Sequence, residues 1–221
     1  LILDAVHTQG VGTTLIATSH GTWQKHTSTS AGFSGYAFDR EEAMSFGAAR
    51  TISAFSYSGG HRLSDINHEK MTRELVTKCR LQKGAAKWNP YERFSNFTGE
   101  QYFDLVAEPP FIGPILTWLF AYGGFNGKFF LQGESFLSGN LDKKVFGENI
   151  TIWDDPYHPT GTVDPFDWEG TPKKKILLAE RGVIKNVCYD TTLAKKAVVR
   201  STGHAIPASA ALIRGPQPSN V

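Results

Sequence analysis

Histidine is sparse and badly spaced for metal chemistry. The seven residues are His7, His20, His26, His61, His68, His158 and His204. No two stand three to five apart, so no single helix can present a pair of imidazoles to zinc. The nearest pairs, His20/His26 and His61/His68, are too widely separated for one helix face, and surface or hydrogen-bonded imidazoles are the expectation. Cysteine is scarcer still. Cys79 and Cys188 form neither a C-x-x-C nor a disulfide framework. One bridge between them stays open, and the cytoplasm is the expected compartment. Charge of one sign is lacking as well: 23 Lys+Arg against 21 Asp+Glu leave a formal +2. That excludes a strong pull on nucleic acid or anionic lipid. Lys143-Lys144, Lys173-Lys174-Lys175 and Lys195-Lys196 are interleaved with acids and read as solvated faces. No apolar run reaches the roughly 18–20 residues of a membrane span, so no membrane partner is expected. P-loop, G-x-G-x-x-G and G-x-S-x-G motifs are all missing.

What is present suffices for a core: 40% hydrophobic and 12% aromatic residues exclude a disordered chain. The start, LILDAVHTQG, has no initiator Met and no basic leader. The end, GPQPSNV, stops where an apolar strand should follow. The expectation is an internal stretch of a longer protein.

The pattern predicts an α+β protein: an N-terminal sheet-plus-helix portion, then a β-rich, largely antiparallel C-terminal domain. The two portions are expected over 1–93 and 94–221. Thr13–Thr18, Gly21–Ser28, Phe33–Phe38 and Thr51–Tyr57 read as short strands, with a break at Ser58-Gly59-Gly60. Asp65 is the expected N-cap of a helix from Ile66 to about Arg80, with Ile66, Met71, Leu75 and Cys79 on its apolar face. Gly84–Gly99 is the candidate linker and Gln101–Ala107 a strand. A helix from Pro114 to about Tyr122 is apolar all round, which predicts full burial. Asn149–Trp153 reads as a strand, Lys174–Glu180 and Val183–Tyr189 as a hairpin turning at Arg181-Gly182, and Thr191–Val198 as a helix.

Chemistry could reside in the acidic loop, where Asp154, Asp155, Asp164, Asp167 and Glu169 surround His158. Oxygen-rich clusters hold hard cations or supply paired carboxylates. Asp-Pro and Asp-x-Glu-Gly are also turn chemistry, because Asp bonds its own backbone, and that reading is favoured. Ser135 and Ser138 lie outside any nucleophile elbow. Ser201 and His204 are close only in sequence, and Cys188 sits in an apolar strand that favours an inert, buried thiol.

In order along the chain come GGFNGKFFLQGESFLSG, SFLSGNLDKKVFGENITIWDDP, PFDWEGTPKKKILLAERGVIKNVCYD and STGHA. Together these resemble the C-terminal domain of the TldD/TldE (PmbA) metallopeptidase family, most strongly from Gln101 to Ala205. Family members are about twice as long as this chain. The resemblance implies that a TldD-type member carries His-Glu-x-x-x-His on a helix about a dozen residues before the Ser-rich turn. Counting back from Ser135 places those positions at Trp118, Leu119 and Gly123, and no His or Glu occurs from Pro109 to Gly133. The chain thus resembles the TldE/PmbA type. The resemblance implies no catalytic residue, metal ligand or cofactor in this chain, with zinc expected only in a TldD-type partner. It also implies a homo- or heterodimer and a peptide substrate, while the near-neutral charge predicts no nucleic-acid partner. Asp154, Asp155, His158, Asp167 and Glu169 are candidate cleft-lining residues. A self-associating scaffold without peptidase activity, and a peptidase with its metal displaced into the acidic loop, are the alternatives.

Overall fold

The structure, a computed structural model, describes residues 2–38, 52–85 and 105–221. Two antiparallel three-stranded sheets and five α-helices make up the described residues, an α+β fold.

The first sheet is built on a long ribbon. Strand β1 (Ile2–Ala17) pairs with β2 (Trp23–Phe38) along its whole length, from Ile2 opposite Phe38 to Ala17 opposite Trp23. Sequence reading splits β2 into two strands; the structure joins them, because β1 continues opposite the small residues Ala31 and Gly32 and keeps their ladder intact. Strand β3 (Ser53–Gly60) adds to the other edge of β2. It runs through Ser58-Gly59-Gly60, so the expected break is its last turn of ladder.

Helix α1 (His68–Gln82) packs on this sheet through Met71, Leu75 and Cys79, which meet Ala31, Ala37 and Ala54. Alanines on the strands let the helix approach closely. Its N-cap is Asn67, whose side chain accepts from Lys70 N–H at 2.8 Å. Asp65, the expected cap, instead accepts from His61 and Arg62 N–H at 2.9 and 2.8 Å and fastens the short 3₁₀ turn Leu63–Asp65. Those donors hold its carboxyl below the usual range. The expected linker Gly84–Gly99 lies outside the described residues from 86 onward, as do the 93/94 boundary and residues 101–104 of the expected strand. Leu105–Ala107 is not a strand. Lys78 on α1 ion-pairs with Glu74 at 2.7 Å and with Glu108 at 2.6 Å, tying α1 to the chain just before the next helix.

That helix, α2 (Pro109–Ile115), starts with Pro109 and Pro110 in its first turn, where their missing N–H groups cost nothing. It continues as a π-helical segment, Leu116–Gly124, closed by Phe125 N–H donating to Phe120 O at 2.7 Å. The expectation of full burial fails here. Only Ala121 and Gly124 are buried, while Trp118 is 69% and Leu119 54% exposed. One face meets the core through Leu116 and Phe120; the opposite apolar face has nothing over it among the described residues.

Helix α3 (Gly127–Gln132) is capped by Asn126 and ends at Gly133 in the left-handed region. The second sheet follows, in the order β4 (Ile152–Asp154), β5 (Ile176–Glu180), β6 (Val183–Ile184). The hairpin forms at Arg181-Gly182, both at positive φ (47° and 83°), the twist that two-residue hairpins favour. A Cβ on Gly182 would stand 2.1 Å from Phe146 O. Strand β6 is shorter than expected, since Lys185 and Asn186 N–H fold back onto Leu178 O. Helix α4 (Thr191–Ala197) is capped by Asp190, and α5 (Ala208–Arg214) precedes the last segment. Phe125, Leu137, Leu178, Ile184 and Cys188 form the centre of the second core. The tip of the β1–β2 ribbon rests on the Asp167–Gly170 turn: a Cβ on Gly170 would meet Thr22 Cγ2 at 2.5 Å.

Candidate functional site

The acidic loop folds as turn chemistry. Asp154, at the end of β4, is fully buried. Its Oδ2 lies 3.0 Å from His204 Nε2, and its Oδ1 accepts from Ser219 and Asn220 N–H at 2.7 and 2.5 Å. Burial alone would raise its pKa; the His204 contact and the two N–H donors outweigh it and hold the carboxyl below the usual value. His204 Nδ1 meets Thr202 Oγ1 at 3.0 Å. The imidazole is therefore engaged at both nitrogens and is not aimed at Ser201, whose hydroxyl donates to Tyr189 O at 3.2 Å.

Asp155 pairs with Lys175 at 3.0 Å, which depresses its pKa, and accepts from Tyr157 N–H at 3.1 Å. Lys175 also lies over the Trp153 ring, 4.8 Å from its centroid. His158 Nδ1 meets Thr160 Oγ1 at 3.0 Å. Asp167 accepts from Glu169, Thr171 and Ala205 N–H at 2.9, 2.9 and 3.0 Å. Burial nevertheless pushes its carboxyl up, against those three donors. Glu169 Oε2 accepts from Thr191 N–H at 2.9 Å. Asp154 is thus spent on His204 and the Ser219–Asn220 backbone, and Asp155, Asp167 and Glu169 on a lysine, a turn and a helix start; the five candidates do not converge. Among the described residues no three His, Cys, Asp or Glu side chains group closely enough to share a metal ion.

The Ser-rich turn is structural as well. Ser135 Oγ donates to Gly124 O at 2.7 Å and accepts from Leu137 N–H at 3.0 Å; Ser138 Oγ donates to Phe130 O at 3.0 Å. The first bond lashes the turn to the end of the π-helical segment, and the last ties it to α3.

Two cavities lie beside the same helix. The first, about 390 Å³, has Leu116, Thr117, Ala121 and Tyr122 on one side. Trp168, Lys173, His204 and the segment from Gln217 to Val221 form the other. The second, about 430 Å³, holds Asp155 and His158 beside Trp153, and shares Leu116, Asn220 and Val221 with the first. A smaller space of about 160 Å³ under the ribbon contains Asp167. Of the expected cleft residues, Asp155 and His158 thus share one cavity and Asp167 lies in another. Asp154 supports the wall between the first two through Ser219 and Asn220.

Zinc does not fit this helix. Trp118 packs edge-on to Tyr122 at 5.1 Å, Leu119 is apolar, and Gly123 has no side chain. One position earlier in register, Thr117 and Tyr122 face the first cavity; neither pattern supplies imidazoles. Sequence reasoning missed Lys173. Its place in a three-lysine run suggests a solvated group, and only tertiary packing reveals its burial.

Both thiols are free and buried in different cores, which excludes the bridge left open above. Burial drives the Cys188 thiol well above its ordinary pKa, and the Asp154 charge adds to it. We expect Cys188 to resist a chromogenic disulfide reagent in the folded protein and to react fully in denaturant. Fast modification of Cys188 under native conditions would contradict this.

No helix among the described residues is long and apolar enough to cross a membrane. Residues 99–221 match the family model for the PmbA/TldA metallopeptidase C-terminal domain. A metalloprotease TldD homolog of Buchnera aphidicola is 33% identical over 171 residues, 75% of this chain and 32% of that protein. A metalloprotease of Archaeoglobus fulgidus is 42% identical over 66 residues, 30% of this chain and 16% of its own. The fold is shared with TldE of Thermococcus kodakarensis, with TM-score 0.67 and 19% identity over 98% of this chain. It is also shared with a Thermotoga maritima protein named as a candidate modulator of a DNA gyrase, with TM-score 0.73 and 18% identity over 97%. The chain spans 45% of each of these two solved chains, and a third or less of the two sequence relatives. With a family match across more than half of its length, the chain belongs to the TldD/TldE (PmbA) family.

Proposed function

We propose that this chain serves as the TldE/PmbA-type, non-catalytic half of a peptidase, paired with a TldD-type subunit that carries zinc. In this reading the partner cleaves, while this chain completes the cleft and shapes the path of the peptide. The supporting observation is the helix Pro109–Gly124. Its family zinc positions are Trp118, Leu119 and Gly123, and no His or Glu follows before Gly133. Zinc chemistry needs deprotonatable donors, and this helix has none. Its uncovered face, with Phe111, Trp118 and Leu119 exposed, is the sort of apolar surface a partner subunit covers.

Metal content and peptide hydrolysis decide the matter. The full-length protein alone should hold less than about 0.1 equivalent of zinc and cleave nothing. Mixed with a homologue carrying His-Glu-x-x-x-His, it should form a complex that binds zinc and cleaves unfolded peptides. Stoichiometric zinc with activity in the isolated protein would overturn the proposal. A lasting homodimer that ignores every such homologue would replace it with a self-associating binding protein.

A further inference from the structure

Lys173 is only 7% exposed. Its ammonium has three N–H groups, and one of them donates to Ser219 Oγ at 2.7 Å. No carboxylate among the described residues forms an ion pair with it. Asp164 lines the same cavity without pairing to it. A buried ammonium with spare donors is costly unless something negative or strongly polar answers it. Ser219 lines the 390 Å³ cavity, so the ammonium stands at that cavity's wall.

A second observation points to the same space. Gln217 also lines it, and its buried Oε1 has no hydrogen-bond partner. An occupant that answers both groups offers an acceptor of negative charge to Lys173 and a hydrogen-bond donor to Gln217. Acetate and sulfate have no donor to give, and hydrogen phosphate, which has an O–H, leaves the apolar wall unmatched. The last residue of a peptide has both, on the same α-carbon. Leu116, Ala121, Tyr122 and Trp168 line the rest of the space and suit an apolar side chain. The volume lies within the roughly 300–1,000 Å³ of small-ligand sites.

We propose that this cavity takes the C-terminal residue of a peptide. Lys173 holds the α-carboxylate, Gln217 Oε1 accepts the peptide N–H, and the aromatic and aliphatic wall takes the side chain. The proposal rests on the peptide-handling reading above and adds to it a preference for free C-termini. Asp164 opposes the incoming carboxylate, so its neutralisation should strengthen binding.

Calorimetric titration of the full-length protein with a short N-acetylated peptide, as free acid and as C-terminal amide, tests this. The acid should bind at least about tenfold more tightly, the scale of one charge-assisted contact. Lys173→Met should erase that preference, and Asp164→Asn should tighten the acid severalfold. Should Lys173→Met fail to fold, Gln217→Leu keeps the ammonium and should weaken the peptide acid severalfold while leaving acetate unaffected. Equal affinity for acid and amide in the unmutated protein would overturn the proposal. So would displacement of the peptide by acetate or inorganic phosphate at matched concentration. Binding is read without hydrolysis, so zinc in the isolated chain would defeat the subunit assignment and leave this result standing. Conversely, loss of the acid preference would leave the zinc result untouched.

Discussion

Asp154→Ala should cost about 3–5 kcal/mol, because one buried carboxylate answers a buried imidazole and two backbone N–H groups at once. The substitution strips His204 Nε2 of its 3.0 Å partner and leaves Ser219 and Asn220 N–H without their shared acceptor. The Asp154 and His204 side chains are fully buried, where water cannot easily replace the carboxylate. Asp154→Asn should be milder, about 1–3 kcal/mol, because an amide oxygen can still accept from the two N–H groups. Urea unfolding at about pH 7 measures both; an unshifted midpoint for Asp154→Ala would refute the account.

The pH dependence has a definite sign. The folded-state pKa of Asp154 lies below the ordinary aspartate value. Its contribution is therefore fully present above the unfolded value and disappears as pH falls through the folded one. Asp154→Asn should flatten that acid limb, and unfolding midpoints followed from about pH 5 downward would reveal it. The change should also loosen the wall carrying Ser219, and with it the hydrogen bond to Lys173.

Phe125→Ala should be equally damaging, about 3–5 kcal/mol. The ring is fully buried among Leu137, Leu178, Ile184 and Cys188. The same residue closes the π-helical turn through Phe120 O and accepts from Cys188 N–H at 2.9 Å, joining the helix to the chain after β6. A cavity there has rigid walls on every side and can collapse only partly. Trp118→Ala in the same apolar run makes the contrast: at an exposed site the isolated protein should change by no more than about 0.5 kcal/mol. Comparable losses at both positions would mean that the helix is buried all round after all.

The helix from Pro109 shows where sequence reading reaches its limit. Hydropathy identified ILTWLFAY as apolar, but an all-apolar run does not say whether the second face is covered by its own chain. Strand β2 is a similar case. Its small residues at Ala31 and Gly32 look like a break until β1 lies opposite them. The hairpin at Arg181-Gly182 was legible because its signal is local, a charged residue and a glycine that accepts positive φ between apolar runs. Turn chemistry was legible at Asp155 and Asp167, which accept from N–H groups two to four residues on, but not at Asp154, which binds His204, Ser219 and Asn220.

By itself the sequence determined the α+β class, the family framework of turns from Ser135 to Ala205, and the absence of His and Glu from Pro109 to Gly133. Those are properties of residue type, local spacing and order, and they need no third dimension. Tertiary structure alone decided which charges leave water. Asp154 and His204, fifty residues apart, meet in a buried pair. Lys173 is drawn inside while Lys174 and Lys175, its neighbours, remain exposed. Burial depends on what the rest of the chain packs above a residue, and nothing in a run of three lysines records that.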